Sequence, residues 1–157
     1  MASFQKPIST PHLDRINPRQ CINSRLRKMH RMINQVYMAR IKPFGLRGSM
    51  LSIIFIIGKN PGVNQKTLAE RLLLDPSTMS RDLQKLVKKG WVYMEKGQDG
   101  RHSALYMTRE GYELLEEVSP VWEETHRQFS EILGSFSLMQ IDQITAAIQQ
   151  SLPQIDD

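Results

Sequence analysis

Between Asn64 and Thr108 the chain places helix caps and chain breaks so closely that few local structures remain open to it. Asn64 is a good N-cap for a short helix over residues 65–73, where Leu68, Leu72 and Leu73 supply the apolar stripe. Asp75 then takes the cap role and Pro76 the first-turn role for a second helix running to about Lys89, and Gly90 is its stop. Two short helices joined by a tight turn, the second short in acids and rich in Ser, Arg and Lys, form a helix-turn-helix pattern. Directly after Gly90, the runs Trp91 to Lys96 and His102 to Met107 are rich in β-branched and aromatic residues. They flank an Asp99-Gly100 turn signal, which predicts a β-hairpin.

The flanking segments are helical in pattern. From Arg19 to about Ile41 the apolar positions Ile22, Leu26, Met29, Ile33 and Val36/Tyr37 recur every three or four residues, with arginines on the other face. Pro43 and Gly45 end that helix. Ser49 is the expected cap of a second helix through Met50 to Ile57, whose nearly unbroken apolar run implies burial on most sides. After the hairpin, Thr108 is the expected cap of a long helix bent at Pro120 and closed by Gly134, and a last helix covers about Ser137 to Ser151. Residues 1–18, with Pro7, Pro11 and Pro18 and no sustained periodicity, read as a mobile or loosely docked arm.

The predicted fold class is therefore mainly α, a helix-turn-helix with a β-hairpin wing framed by N- and C-terminal helices. Ile22, Leu26 and Met29, with Ile141, Ile144 and Ile148, exceed what so small a unit buries by itself, which points to a homodimer. The expected organisation is an arm over 1–18, dimerisation helices over 19–48 and 109–157, and a winged helix-turn-helix over 49–108, all in one intertwined domain.

Charge is unevenly spread. Residues 1–50 carry ten Lys/Arg against Asp14, residues 51–109 ten against five acids, and residues 110–157 Arg127 against ten acids. Such a split suits a polyanion at one end of the molecule, although the basic first helix also neutralises the acidic last ones. The longest apolar run, Leu51 to Ile57, is too short for a bilayer span, and no secretory leader is evident, so a cytoplasmic protein without membrane contact is expected. One cysteine and four scattered histidines make neither a disulfide scaffold nor a zinc site. No nucleophile elbow, phosphate-cradling glycine loop or His/Glu metal pair is present, so neither an enzyme nor a cofactor is expected.

On a helical wheel, Met79, Leu83, Leu86 and Val87 share one arc of the second helix-turn-helix helix and must face the core. The opposite arc centres on Arg81 and holds Ser77, Gln84, Lys85 and Lys88, with Thr78 at its edge and Ser80 near the boundary. Small hydroxyls at a helix start allow close approach to a DNA backbone, while Arg and Gln form bidentate contacts with guanine and adenine edges. At the hairpin tip, Arg101 suits a narrow, electronegative minor groove, with Asp99 placed to orient it. A protein-interaction module without DNA binding is the alternative, but it has no need of Arg81, Lys85, Lys88 and Arg101 on one side.

These residues carry a resemblance. Leu68-Ala69-Glu70-Arg71-Leu72, Asp75-Pro76-Ser77-Thr78, Ser80-Arg81, Leu86, Lys89-Gly90, Asp99-Gly100-Arg101 and the run from Leu105 to Gly111 resemble the multiple-antibiotic-resistance regulator (MarR) family over about residues 19–152. The chain departs from that pattern at Gly100, where a charged residue is commoner, and at Met107, where Leu is usual. The resemblance implies a homodimeric winged-helix transcriptional regulator, a repressor, with interlocked first and last helices and a palindromic double-stranded DNA operator. It further implies release by a small aromatic or phenolic effector, and in some members by oxidation of a cysteine near the first helix.

Cys21 stands in that region, where it is either a redox sensor or a small buried hydrophobe at the dimer interface, the second being the expected reading. Arg19 and Arg25 are the neighbours expected to lower its pKa. His30 and Tyr37 read as satisfied core groups. Met29, Met32, Met38 and Met50 either line an adaptable pocket or fill the core.

Overall fold

A computed structural model describes residues 9–96 and 103–151. The chain divides into two compact units, Met1–Val36 and Tyr37–Asp157.

In the first unit, Pro11 opens a one-turn helix, α1 (Pro11–Arg15), inside the segment expected to lack structure. A 3-10 turn follows at Pro18–Gln20, where the Asn17 side chain accepts from the Arg19 amide at 3.1 Å. Helix α2 (Ile22–Ile41) then begins, three residues later than the expected start. Pro18 and the extended backbone at Cys21 delay it. Of the expected apolar stripe, Ile22, Leu26, Met29 and Val36 are exposed, whereas Ile33 and Tyr37 are half-buried.

The second unit holds the core. Helix α3 (Met50–Lys59) buries Met50, Leu51, Ile53, Ile54 and Ile57, as its unbroken apolar run implies. Around it pack Leu68 of α4 (Gln65–Leu72), Met79, Leu83 and Leu86 of α5 (Pro76–Lys88), and Leu114, Leu115 and Val118 of α6 (Arg109–Leu133). Helix α6 is capped by Thr108 and runs on through Pro120. Helix α7 (Ser135–Ser151) follows Gly134, whose φ of +75° ends α6 as expected.

Among the described residues the strands make one antiparallel sheet in the order β1-β3-β2, with β1 Val63–Asn64, β2 Val92–Lys96 and β3 Ser103–Met107. The hairpin β2-β3 is the predicted one, pairing Tyr93 with Tyr106 and Val92 with Met107. Strand β1 was not anticipated. Two residues carry no periodicity, and it exists because Val63 and Asn64 meet Leu105 and Ala104 across the sheet. The Ser49 cap is a correction: its backbone is helical, it makes no cap hydrogen bond, and its hydroxyl is committed to Asp82 instead.

The sheet is seated against α6 by a close approach at Gly111, where an added Cβ would lie 2.1 Å from the Trp91 carbonyl oxygen. Thr108 completes the join, accepting from the Gly111 amide at 3.0 Å and donating to the Gly90 carbonyl at 2.6 Å. The base of the hairpin is thus fixed to the end of α5.

Candidate nucleic-acid interface

Helix α5 is started by the residues that the sequence marks for it. Asp75 Oδ1 accepts from the Thr78 amide at 2.9 Å and from the Ser77 hydroxyl at 2.5 Å. These bonds, that from the Ser77 hydroxyl first, hold the carboxyl far below its ordinary value. Leu73 allows the tight turn before it by taking a left-handed conformation, φ +49°, while 79% exposed. Because a side chain is disfavoured there, nothing in the sequence signals the position. At the other end, Gly90, at φ +73°, lets its amide donate to the Val87 carbonyl and turns the chain straight into β2.

The wheel describes the faces of α5 correctly. Met79, Leu83 and Leu86 are buried and Val87 is half-buried, whereas Ser77, Arg81, Gln84, Lys85 and Lys88 are exposed; Thr78 and Ser80 are half-buried at the margins. The Arg81 guanidinium lies back over the first turn, its Nε donating to the Ser77 carbonyl at 3.2 Å and an Nη reaching the Thr78 hydroxyl at 3.4 Å. Arginine, the hydroxyls and the helix start are therefore brought together. Lys85 is directed elsewhere: its Nζ lies 2.7 Å from Asp82 Oδ1. Lys88 has no ion pair among the described residues. Asp99 and Arg101 at the wing tip lie outside the described residues.

Sequence reasoning passed over Asp82. It is buried, 8% exposed, with Ser49 Oγ donating to Oδ2 at 2.6 Å. Burial pushes its carboxyl up, but the Lys85 and Ser49 hydrogen bonds and the charges of Lys85 and Arg81 outweigh that, leaving it below the ordinary value. The available signal was an acid flanking the apolar arc with a lysine three residues on.

Away from α5, Cys21 is exposed within the chain, at the start of α2. Its thiol is lowered, chiefly by a hydrogen bond from the Ser24 side chain, with the Arg27 charge contributing last. Of the expected agents, Arg25 is engaged elsewhere, its Nε donating to the Arg19 carbonyl at 3.0 Å, and the charge that acts on the thiol is that of Arg27. His30 and Met29 are exposed in the chain, while Met50 is core and Met38 packs against it. Tyr37 stacks on Phe129 at 5.6 Å between centroids, and burial raises its phenol against the opposing charge of Arg40. Arg40 was not foreseen; it donates to Thr125 at 3.0 Å and Gln128 at 2.6 Å. Among the described residues no group of His, Cys, Asp or Glu is placed to hold a metal, and no helix is long and apolar enough to cross a membrane.

A helix-turn-helix whose second helix leads directly into an antiparallel hairpin, with the hairpin braced on the next helix, is a winged helix. Residues 44–102 match the model of the MarR family. The chain is 27% identical over 89 residues to YwoH of Bacillus subtilis (strain 168), an uncharacterized HTH-type transcriptional regulator, covering 57% of this chain and 65% of YwoH. It is 30% identical over 94 residues to the HTH-type transcriptional regulator SarZ of Staphylococcus saprophyticus, covering 59% of this chain and 64% of SarZ. The match thus spans a little less than two thirds of either relative. In fold, the chain superimposes on MepR of S. aureus, solved as a complex with DNA, with a TM-score of 0.72 at 17% identity, over 84% of this chain and 98% of MepR. The chain is similar to the MarR family of winged-helix regulators, in sequence over residues 44–102 and in fold over most of its length.

Proposed function

We propose that the protein is a transcriptional repressor that binds a palindromic double-stranded DNA operator as a homodimer. The observation that carries the reading is the outward face of α5, where Ser77, Arg81, Gln84 and Lys88 stand exposed on a helix fixed by its cap, its core face and the adjoining hairpin. Arg81 and Gln84 have the donor and acceptor patterns that read base edges in a major groove. Ser77, Thr78 and Ser80 place the helix start against the backbone, and Lys88 meets phosphate. Asp99 and Arg101 keep their sequence-based role at the minor groove. The relative MepR is described in complex with DNA, which favours the same partner here.

Dimerisation is supported by the apolar side chains that α2 and α7 leave exposed in the single chain, Ile22, Leu26 and Met29 on one and Ile141, Ile144 and Ile148 on the other. Release by a small aromatic effector belongs to the same proposal, with the edge-on pair of Phe55 and Trp122 and the Trp122–His126 stack as the rings such a ligand would meet. Selection of bound sequences from random duplex DNA tests the reading. A palindrome with two half-sites about one helical turn apart is expected. Recovery of no sequence above background would overturn it in favour of a protein-docking module.

A further inference from the structure

Asp82 is the acid of α5, and an acid on a helix that approaches phosphate opposes binding unless its charge is balanced. Here it is balanced twice. Oδ1 takes the Lys85 ammonium at 2.7 Å, and Oδ2 takes the Ser49 hydroxyl at 2.6 Å. Ser49 immediately precedes α3, whose Met50, Ile53, Ile54 and Ile57 are fully buried. The carboxylate therefore ties the flank of α5 to the start of the most deeply buried helix in the molecule. Next to it, Gly48 donates its amide to Met38 Sδ at 3.3 Å, so the segment carrying Ser49 is held from α2 as well.

Two consequences follow for a helix that reads DNA. Lys85, drawn to Asp82, is withheld from phosphate, and each lysine so withheld removes about 0.9 from the salt slope of duplex binding. The azimuth of α5, and with it the direction of Arg81 and Gln84, is set by a hydrogen bond as well as by apolar packing. We propose that Asp82 is a positioning residue: by holding Lys85 and Ser49 it lowers affinity for duplex DNA in general and sharpens discrimination of the operator. The inference rests on the DNA-binding reading above.

The test uses the full-length protein, the selected operator and a scrambled duplex, titrated at several salt concentrations. Asp82→Asn keeps the shape and an acceptor for Ser49 but removes the charge. It should bind the operator and the scrambled duplex each about tenfold more tightly, with a slope steeper by about one unit per protomer and a ratio close to that of the wild type, because a phosphate contact is blind to sequence. Adding Lys85→Ala to Asp82→Asn should return the slope to the wild-type value; a steep slope that persists in the double variant overturns the role given to Lys85. Ser49→Ala breaks the tie and leaves the Asp82–Lys85 pair in place, so it should lower the ratio with the slope unchanged. An unchanged ratio in Ser49→Ala overturns the positioning role, including the case in which Asp82→Asn fails to fold by circular dichroism. A wild-type slope in a folded Asp82→Asn together with a wild-type ratio in Ser49→Ala overturns the whole inference while leaving DNA binding intact. A wild type that prefers no duplex overturns the DNA-binding reading itself.

Discussion

Helix α5 and the exposed faces of α2 and α7 are amphipathic in the same sense, yet the chain treats them oppositely. On α5 the apolar arc is buried to the last leucine, the first turn is capped, and the acid beside the arc has two partners. On α2 and α7 the apolar stripes end in solvent, with Ile22 73% and Ile144 57% exposed. One surface is finished by its own chain, and its polar residues are free to meet something else. The other is unfinished, and isolated stripes of this kind call for apolar cover, most economically a second copy.

The largest effect should come from spoiling the unfinished side. Leu26→Glu combined with Ile144→Glu places charge on both stripes and should convert the dimer to a monomer by light scattering, while far-UV circular dichroism stays close to wild type. Operator affinity should fall by about a hundredfold or more, since two half-sites are no longer held at a fixed spacing. A double variant that stays dimeric would break the comparison at its root.

On the finished side, Arg81→Ala should leave melting unchanged and cost about 1–3 kcal/mol of operator binding per half-site, relaxing the preference at the base it reads. Unchanged operator affinity would remove Arg81 from the reading set. The two sides would also stand less sharply apart if this exposed side chain proved to matter for folding.

How far the sequence reveals each side follows from the range of the interactions. Asn64, Asp75, Pro76, Gly90 and Thr108 act on their own helix ends, within four residues, and each is visible in the sequence and found in place. The inward and outward faces of α5 follow from period alone. Strand β1, the left-handed Leu73 and the Ser49–Asp82 tie depend on partners brought up by the fold: Val63 needs Leu105, and Ser49 reaches 33 positions along the chain. Ser49 also shows how a local rule loses, since a serine before an apolar run is a common cap until a buried carboxylate claims its hydroxyl. Of the binding face, the residue types were legible and their engagement was not; Lys85 and Lys88 look alike in sequence and differ by one nearby acid.

A smaller effect separates the cap from the core. The Asp75 carboxyl has a folded-state pKa below its ordinary value of 3.8, so its contribution to stability is present above that value and is lost as the pH falls toward the folded-state pKa. The melting temperature of Asp75→Asn should accordingly lie below that of the wild type at neutral pH, and the gap should close in acid below about pH 4. A gap that stays constant with pH would mean that the cap acts through its shape alone.

The smallest effect concerns Cys21, where the unfinished side can be mapped without disturbing it. The thiol is exposed in the single chain, and its hydrogen bond to Ser24 favours the thiolate, so a free chain should react readily with a thiol reagent. The exposed stripe of α2 runs through Ile22, Leu26 and Met29, whereas Cys21 precedes the helix on extended backbone and is not one of its positions. A partner that covers the stripe should therefore leave the sulfur open. Labelling of the native dimer should proceed at nearly the rate seen for the charge-substituted monomer, and Cys21→Ser should melt with the wild type. Strong protection in the dimer alone would place Cys21 inside the interface, as its sequence suggests, and would extend the covered face past the stripe to the turn at Pro18–Gln20.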